Sequence, residues 1–406
     1  MDRPPTKHIV ALLLAIVPFS QIPLDAYTPA LPQMARDLVA DNAAVQNTVT
    51  AYMLGMSLAL VPLGLLSDSR GRRPVLFGGM ALLVAMSVGC ASAGDIRTML
   101  VMRFLQGIGG CTCLVIAYAI AADCFRDREL TSVSGLLGAA WGLAPVLAPA
   151  AGGFLVEFVS WRVVFLMIAG LAAIVMLAAF VLLPETLERE RRTPVDLGHT
   201  AALVRGALTD RRFVAFTLVF AAMASAQMVF GVVAPFLYQE QLGFSAAAYG
   251  AFALLLGGVN LLGELACSGL AQRVAPRTLA FGAFAFYAAG AVCLAASGVL
   301  IGTGVISLTL AGALVLAGCG TLCPMMYGMA LGLFDRNLGL IGGLISAVCY
   351  LFVSGAMAIA AVLPESSQAP LGGLYVALGL VPLVLLPSVL RRAAPVSAST
   401  RETKAS

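Results

Sequence analysis

Long apolar runs separated by short polar joints repeat along the whole chain. A helix needs about 20 apolar residues to cross the hydrocarbon core of a bilayer. Twelve runs approach or exceed that length, so the pattern predicts an all-α membrane protein with twelve transmembrane helices. The runs cover approximately 8–30, 44–67, 74–94, 98–121, 130–157, 163–183, 212–237, 247–271, 277–297, 303–333, 339–363 and 371–390.

The longest polar stretch lies near the middle of the chain, from Pro184 to Arg212, and is rich in Glu and Arg. Six apolar runs precede it and six follow, and many transporter folds consist of two such related halves. We predict two six-helix pseudo-repeats, with bundles over 1–186 and 212–392. The same division predicts a cytoplasmic linker over 187–211 and a cytoplasmic tail over 393–406.

Arginines are concentrated in alternate joints, and cytoplasmic loops of membrane proteins carry an excess of Lys and Arg. With the N-terminus in the cytoplasm, only Arg36, Arg97 and Arg162 fall outside. Both termini are therefore predicted to be cytoplasmic. The arginines then inside are those of the linker and Arg70, Arg72, Arg73, Arg126, Arg128, Arg273, Arg277, Arg336, Arg391 and Arg392.

The composition agrees with a membrane protein and gives no sign of an enzyme. Of 406 residues, 60% are hydrophobic and 11% charged, against about 25% charged in soluble proteins. The net charge of +4 is spread over short loops, so we expect no nucleic-acid partner. The nine cysteines lack the spacing of a zinc or redox motif. The only histidines, His8 and His199, lie in polar stretches, and the chain has no phosphate-binding Gly-x-x-x-x-Gly-Lys loop. We therefore expect no metal, no cofactor and no enzymatic activity.

The first apolar run is predicted to stay in the mature protein. The segment that precedes it, Asp2 to His8, is too short and polar to be a cleaved signal with its own apolar core.

A charged turn from Gly64 to Pro74 separates the second and third runs. A basic turn by itself is often only a topology signal. This one has an ordered pattern, Gly-x-Leu-x-Asp-x-x-Gly-Arg-Arg, carried by Gly64, Leu66, Asp68, Gly71, Arg72 and Arg73. The segment from Gly269 to Arg277 repeats its Gly-Leu start and final Arg without the Asp, which is a weak internal repeat.

Asp25 lies toward the outer end of the first run. A carboxylate costs several kcal/mol to bury in a membrane, so it marks a functional site by default. Gln21 lies one turn earlier on the same face, and Pro18, Pro23 and Pro29 loosen the helix. We favour a proton or substrate site at Asp25. The alternative is an interfacial Asp hydrated at the outer membrane surface.

The fourth run contains a basic residue and several small ones. Helical spacing places the following residues on one face: Arg103, Gln106, Gly107 and Gly110. The glycines would let a neighbouring helix approach, and Arg103 would need an acceptor there. From spacing alone, Arg103 could also extend to the outer surface.

The fifth run contains two prolines and a glycine pair, namely Pro145, Pro149, Gly152 and Gly153. These residues predict a bent helix that packs closely on its neighbours, and ordinary tight packing would explain them as well. Glu157 follows near the outer end and is expected to be interfacial.

In the second half, Glu264 lies well inside the eighth run, with Asn260 one turn before it and Gly257 on the same side. Glu264 could bind a cationic part of a substrate or a second proton, or it could pair with a neighbouring helix. An adaptable pocket or plain packing would both explain the other polar, aromatic and Met residues of this half. They are Gln227, Phe230, Met325, Met326, Tyr327, Ser346, Tyr350 and Ser354.

Several of these motifs resemble those of the major facilitator superfamily, and within it of the twelve-helix drug:proton antiporter family, in particular its bicyclomycin and chloramphenicol resistance (Bcr/CflA) branch. The resemblance is dense in the first half and rests mainly on hydropathy in the second. Besides the turn, it is carried by Leu24-Asp25-x-Tyr27-x-Pro29-x-Leu31-Pro32, by Trp161-Arg162 and by Pro184-Glu185-Thr186.

The resemblance implies alternating access of two bundles around a central cavity. It implies that Asp25 binds the proton and that Arg103 couples proton and substrate. It also implies that the turn with Asp68, Gly71 and Arg72 forms an inner gate. The stretch from Pro145 to Gly153 resembles the antiporter motif that marks exporters. It departs from that motif at two positions, Ala144 and Ala148, where Gly is usual.

We therefore predict a monomeric, multi-pass protein of the bacterial inner membrane that exports drug-like molecules, such as chloramphenicol- or bicyclomycin-type antibiotics, in exchange for protons. One alternative is proton-coupled export of a metabolite such as a nucleoside, sugar or amino acid. Another is a membrane sensor or scaffold without transport activity, which the absence of an obvious soluble domain disfavours. The expected partners are the small-molecule substrate, protons and the lipid bilayer.

Overall fold

The computed structural model describes residues 6–192, 197–271, 273–334 and 338–390. This part of the chain is helical and contains twelve helices long and apolar enough to cross a membrane, as predicted. They are α1 (His8–Asp37), α2 (Asn42–Arg70), α3 (Arg72–Ser92), α4 (Ile96–Cys124), α5 (Asp127–Phe158), α6 (Trp161–Leu182), α7 (Arg211–Phe236), α8 (Ala246–Leu270), α9 (Pro276–Leu300), α10 (Val305–Leu331), α11 (Leu338–Ala361) and α12 (Ala369–Leu390).

Polar caps explain why many helices begin slightly before the apolar run does. The Asp41 carboxylate accepts a hydrogen bond from the Ala44 backbone N–H at 2.7 Å, at the start of α2. Asp95 caps α4 through Thr98, and Ser245 caps α8 through Ala248. These side chains satisfy N–H groups that have no partner within the helix.

The first helix differs from the prediction because it continues to Asp37 rather than ending near residue 30. It is not a regular helix. Short 3-10 turns at Val17–Ser20 and Thr28–Ala30 interrupt it, each with a proline near its start, because proline removes a backbone donor. In this longer span Asp25 lies close to the middle of the membrane segment, not toward its outer end as the sequence suggested.

The helices pack in two groups. In the first bundle α4 packs on α2 and α3, and α3 packs on α6; in the second bundle α10 packs on α8 and α9, and α9 packs on α12. The two bundles meet mainly through α2 with α11 and α5 with α8. The domain boundaries stay a prediction. The linker contains a helix at Leu197–Thr209, and the predicted tail over 393–406 lies outside the described residues, as do Arg336, Arg391 and Arg392.

Glycines allow the closest helix contacts. A side chain at Gly55 of α2 would collide with the backbone carbonyl of Phe104, and one at Gly107 of α4 would collide with that of Tyr52. Helix backbones in membranes pack closely where small residues face each other. Arg103 lies one turn before Gly107, so this contact places it against α2, where it donates to the Thr48 carbonyl.

One end of the protein is formed by the joints α1–α2, α3–α4, α5–α6, α7–α8, α9–α10 and α11–α12. We call it the outer end, because the arginine distribution predicts that it faces away from the cytoplasm. Hydrogen bonds connect these joints within the first bundle. The Trp161 indole N–H donates to Asp37 at 2.8 Å, and Arg162 donates to the Ala93 carbonyl at 3.4 Å.

Candidate functional site

A cavity lies between the two bundles. Its lining comes from α1, α2 and α5 on one side and from α7, α8, α10 and α11 on the other, which suits a site whose access alternates as the bundles move. It is lined by Leu24, Asp25, Thr28, Val49, Pro145, Val146, Pro149, Gln227, Met228, Phe230, Gly231, Val232, Tyr249, Ala253, Leu256, Gly257, Asn260, Leu316 and Met357.

Three of the predicted cavity residues are part of this lining, namely Gln227, Phe230 and Asn260. The other five lie behind or beside it. Gln21 and Gln106 contact the proposed proton-coupling residues, Glu264 contacts Asn260, and Met326 and Tyr350 are buried among hydrophobic residues. Their roles in substrate binding stay predictions.

Asp25 is the acidic residue that lines the cavity. The Gln21 amide donates to its carboxylate at 2.9 Å, as the four-residue spacing suggested. The Thr28 hydroxyl donates to the Asp25 backbone carbonyl at 3.0 Å and so stabilises the irregular stretch of α1. Within the described residues, Asp25 forms no ion pair with a basic side chain. Its carboxyl is thus held by a neutral donor at the wall of the cavity.

Arg103 is fully buried, so it does not extend to the outer surface as spacing alone allowed. Its guanidinium donates to the Pro23 carbonyl at 2.8 Å and to Gln106 at 2.5 Å, with a longer bond to the Thr48 carbonyl at 3.4 Å. The Pro23 carbonyl belongs to the broken part of α1. Arg103 thereby connects α4 to the backbone two residues before Asp25.

Aromatic rings surround the Arg103 guanidinium. The Tyr27 and Tyr52 rings lie 4.2 and 4.5 Å from its central carbon, and the Phe165 ring lies 5.8 Å away. Cation–π contacts of this kind compensate part of the cost of burying the charge. One terminal nitrogen of Arg103, Nη2, is buried with no hydrogen-bond partner. Of the three aromatic residues around Arg103, only Tyr27 belongs to a sequence motif, the one that begins at Leu24. No sequence pattern indicated Tyr52 or Phe165.

Asn260 and Glu264 form a second amide–carboxylate pair beside the cavity. Asn260 donates to Glu264 at 3.0 Å, and its own side-chain oxygen is buried without a hydrogen-bond partner. Glu264 lies next to Gly142 of α5, where a side-chain carbon would be 3.5 Å from its carboxylate. Within the described residues no basic side chain forms an ion pair with Glu264.

The glycine pair of α5 lies at the contacts of this helix with both bundles. A side chain at Gly152 would collide with the Ala26 carbonyl of α1, and one at Gly153 would approach the Ala246 carbonyl of α8. The prolines Pro145 and Pro149 line the cavity without ending the helix. The predicted close packing of this stretch is therefore present.

The charged turn between α2 and α3 is organised by Arg72. Its guanidinium donates to Asp68 one turn earlier and to Asp123 at the end of α4, the latter at 2.9 Å. The Glu185 carboxylate accepts from the backbone N–H groups of Arg72 and Arg73 at 2.9 and 3.3 Å. The partners of Arg72 outside the turn, Asp123 and Glu185, were not predicted, since they are distant in sequence.

Gly71 has a positive φ of 106°, which favours glycine. A side chain there would also meet the Glu185 carboxylate. Gly64, by contrast, has open space beside it. The turn therefore needs glycine at position 71 for two independent reasons.

Comparison with known proteins decides the family. The family model described as Major Facilitator Superfamily matches residues 13–361. The chain belongs to the major facilitator superfamily. It is thus a multi-pass membrane transport protein that acts on small molecules rather than an enzyme.

Relatives within the superfamily include the uncharacterized MFS-type transporter YdgK of Bacillus subtilis (strain 168), 32% identical over 64% of this chain and 65% of YdgK. The multidrug resistance protein MdtL of Klebsiella pneumoniae (strain 342) is 28% identical over 89% of this chain and 91% of MdtL. Among solved structures, a D-xylose-proton symporter superposes with a TM-score of 0.76 at 16% identity, over 94% of this chain and 98% of the symporter. That likeness shows the superfamily fold.

Proposed function

We propose that this transporter exports drug-like molecules across the bacterial inner membrane in exchange for protons, as the Bcr/CflA branch does. The similarity to MdtL, a multidrug resistance protein, over 89% of this chain supports the substrate class. The largely apolar cavity with a few polar groups supports it as well, since such pockets accept varied organic molecules. The proposed unit is a monomer.

The observation that carries the proposal is the position of Asp25 in the cavity lining. A carboxyl in this position can bind either a proton or, once deprotonated, the polar part of a substrate. Binding of substrate at such a site favours loss of the proton, and with access that alternates between the two sides of the membrane this competition gives antiport. The membrane potential supplies about 2.3 kcal/mol per proton for each 100 mV.

Arg103 is proposed to transmit the state of Asp25 to the rest of the first bundle. It holds the Pro23 carbonyl of the same irregular segment and is fixed by Gln106, whose amide donates to Ser87 of α3 at 2.7 Å. A shift of the segment around Asp25 would break or remake the bond to Pro23. This would couple protonation to the packing of α1 on α4.

Glu264 is proposed to favour substrates with a cationic group. It is a partly buried carboxylate without a basic partner among the described residues, and Asn260 connects it to the cavity. A cation bound there would pair with a charge that otherwise has only a neutral donor. Neutral substrates would gain nothing from this contact.

The test uses inverted membrane vesicles with an acidic interior and a pH-reporting dye. Phenicols, bicyclomycin-like drugs, cationic dyes, nucleosides, sugars and amino acids are added one at a time. We expect proton release with a drug class and its loss in Asp25→Asn. A matched control is Asp95→Asn, because Asn also caps a helix and Asp95 is exposed at the outer end.

Proton release that persists in Asp25→Asn would contradict the role of Asp25. A response limited to one nucleoside, sugar or amino acid would replace drug efflux by metabolite export. A folded protein that responds to none of the compounds would contradict the proposed substrate class.

A further inference from the structure

A hydrogen-bonded contact around Glu365 connects the two bundles at the outer end. Glu365 lies in the joint between α11 and α12 of the second bundle, and its carboxylate accepts from the side-chain amides of Asn42 and Gln46 on α2 of the first bundle. Gln46 is buried and Glu365 is half-buried. This contact can exist only while the bundles are together at this end.

A second carboxylate faces Glu365. Glu240, in the π-helical turn Leu237–Gln241 that follows α7, accepts from the same Asn42 amide nitrogen at 3.2 Å. No ion pair with a basic side chain neutralises Glu365 or Glu240 in the described part of the chain. The neighbouring Asp41 is turned toward its own helix, where it caps α2. Two like charges therefore share one neutral donor, and the charge of Glu240 favours protonation of Glu365.

Gln46 offers a partner for that proton. Its side-chain oxygen is buried without a hydrogen-bond partner, while the nitrogen of the same amide contacts the Glu365 carboxylate. A protonated carboxyl carries one O–H donor. After rotation of the Gln46 amide, that O–H could donate to the oxygen that now lacks a partner. The contact thus accommodates the protonated acid as well as the carboxylate.

We infer that Glu365 is a second proton-binding group of this transporter, and that a proton taken up there from the outer side favours closure of the bundles at the outer end. This group is separate from Asp25. The inference concerns the opening and closing of the outer end and does not depend on which substrate is exported.

The direction of the pH effect follows from the two environments of Glu365. In the closed contact the pKa of Glu365 is raised from 4.5 to about 7, because partial burial and the charge of Glu240 raise it more than the hydrogen bonds from the Asn42 and Gln46 amides lower it. When the bundles separate, Glu365 becomes hydrated and its pKa falls back toward 4.5. The closed form therefore binds more protons between these values, and acidification over that range favours closure.

The effect is limited by the two pKa values. Closure should become up to about tenfold more favourable for each pH unit between pH 7 and 4.5. An acidic exterior would thus promote closure after substrate has left. In proton-driven export, closure of the outer end helps the empty transporter to return to the conformation that is open to the inner side.

The experiment measures the separation of the bundles at the outer end by spin-label distances in lipid nanodiscs from pH 5 to 8.5. Labels are placed at Val39 and Ile301, which are 94% and 75% exposed in opposite bundles. The exposed cysteines Cys124 and Cys293 are replaced by Ser. We expect short distances at pH 5 and a population of long distances that grows as the pH rises toward 7 and levels off above it.

Glu365→Gln should stay closed at every pH, because Gln mimics the neutral acid. Glu240→Gln should move the midpoint to lower pH, because it removes the like charge. Glu365→Asp keeps a carboxyl and should retain a pH dependence, which excludes simple damage to the joint. The matched control is Glu157→Gln, since Glu157 also joins the bundles at this end by accepting from the Ala247 N–H at 3.4 Å.

Distances in the unsubstituted protein that do not change with pH would overturn the inference. The same holds if Glu365→Gln keeps the full pH dependence. Asp25→Asn should lose coupled efflux and keep the pH dependence of the distances. Failure of the two proposals would therefore be seen in different measurements.

Discussion

Gln21 donates a hydrogen bond to Asp25 at 2.9 Å from one helical turn away. Asn260 and Glu264 repeat this relationship in the second bundle at 3.0 Å. In both pairs the amide oxygen is buried without a hydrogen-bond partner. Each bundle thus places an amide–carboxylate pair in or beside the cavity, with an acceptor still free to bind a proton donor.

Glu264→Gln should change which substrates are exported. We expect efflux of cationic dyes to fall about tenfold, because a bidentate or charge-assisted contact is lost, while efflux of neutral phenicols stays unchanged. Transport of both classes is measured in the same vesicles. The control is Glu188→Gln, an exposed residue of the linker. Equal effects on neutral and cationic substrates would argue against a cation contact at Glu264.

Arg103→Lys should abolish coupled efflux although the charge is kept. Lys cannot donate to Pro23 and Gln106 in the fixed geometry of a guanidinium, and it stacks less well on the rings of Tyr27 and Tyr52. We expect at least a tenfold loss of substrate-induced proton release with normal membrane levels. Arg97→Lys, at an exposed position, should behave like the unsubstituted protein. Full activity of Arg103→Lys would show that only the charge matters.

Gly152→Ala should destabilise the protein because the added methyl group would collide with the Ala26 carbonyl of α1. Overpacking of this kind costs about 1–3 kcal/mol. Thermal unfolding in detergent measures the loss. Gly170→Ala in α6 is the control, since a side chain there has open space. Equal stability of the two variants would mean that α1 can move away from α5 without cost.

Removal of the two acidic partners of Arg72 should have unequal effects. The Asp123 side chain is 10% exposed and that of Asp68 is 47% exposed. Asp123→Ala should therefore lower the unfolding temperature clearly, because Arg72 loses its buried partner, whereas an exposed pair is worth at most about 1 kcal/mol. Asp68→Ala serves as the comparison. A larger loss in Asp68→Ala would contradict this ranking.

Local patterns were sufficient for the predictions that depend on one helix. The twelve spans follow from hydropathy because a bilayer satisfies no backbone polar group, so each crossing must be a long apolar helix. The Gln21–Asp25 and Asn260–Glu264 pairs follow from the helical repeat, which places residues four apart side by side. Asp25 lies nearer the middle of its span than the apolar run predicts, because the polar residues after position 30 conceal the continuation of α1 to Asp37.

Partners on different helices were decided by the tertiary structure alone. Arg103 reaches Pro23 across 80 positions of sequence, and Gln46 reaches Glu365 across 319. Glu365 is one carboxylate in a short polar joint, and no spacing rule distinguishes it from an ordinary surface residue. The chain by itself determined where it crosses the membrane and which residues share a helix face, since both depend on neighbours within about one turn. The packing of the two bundles decided which buried charges meet, because that depends on how separate helices come together.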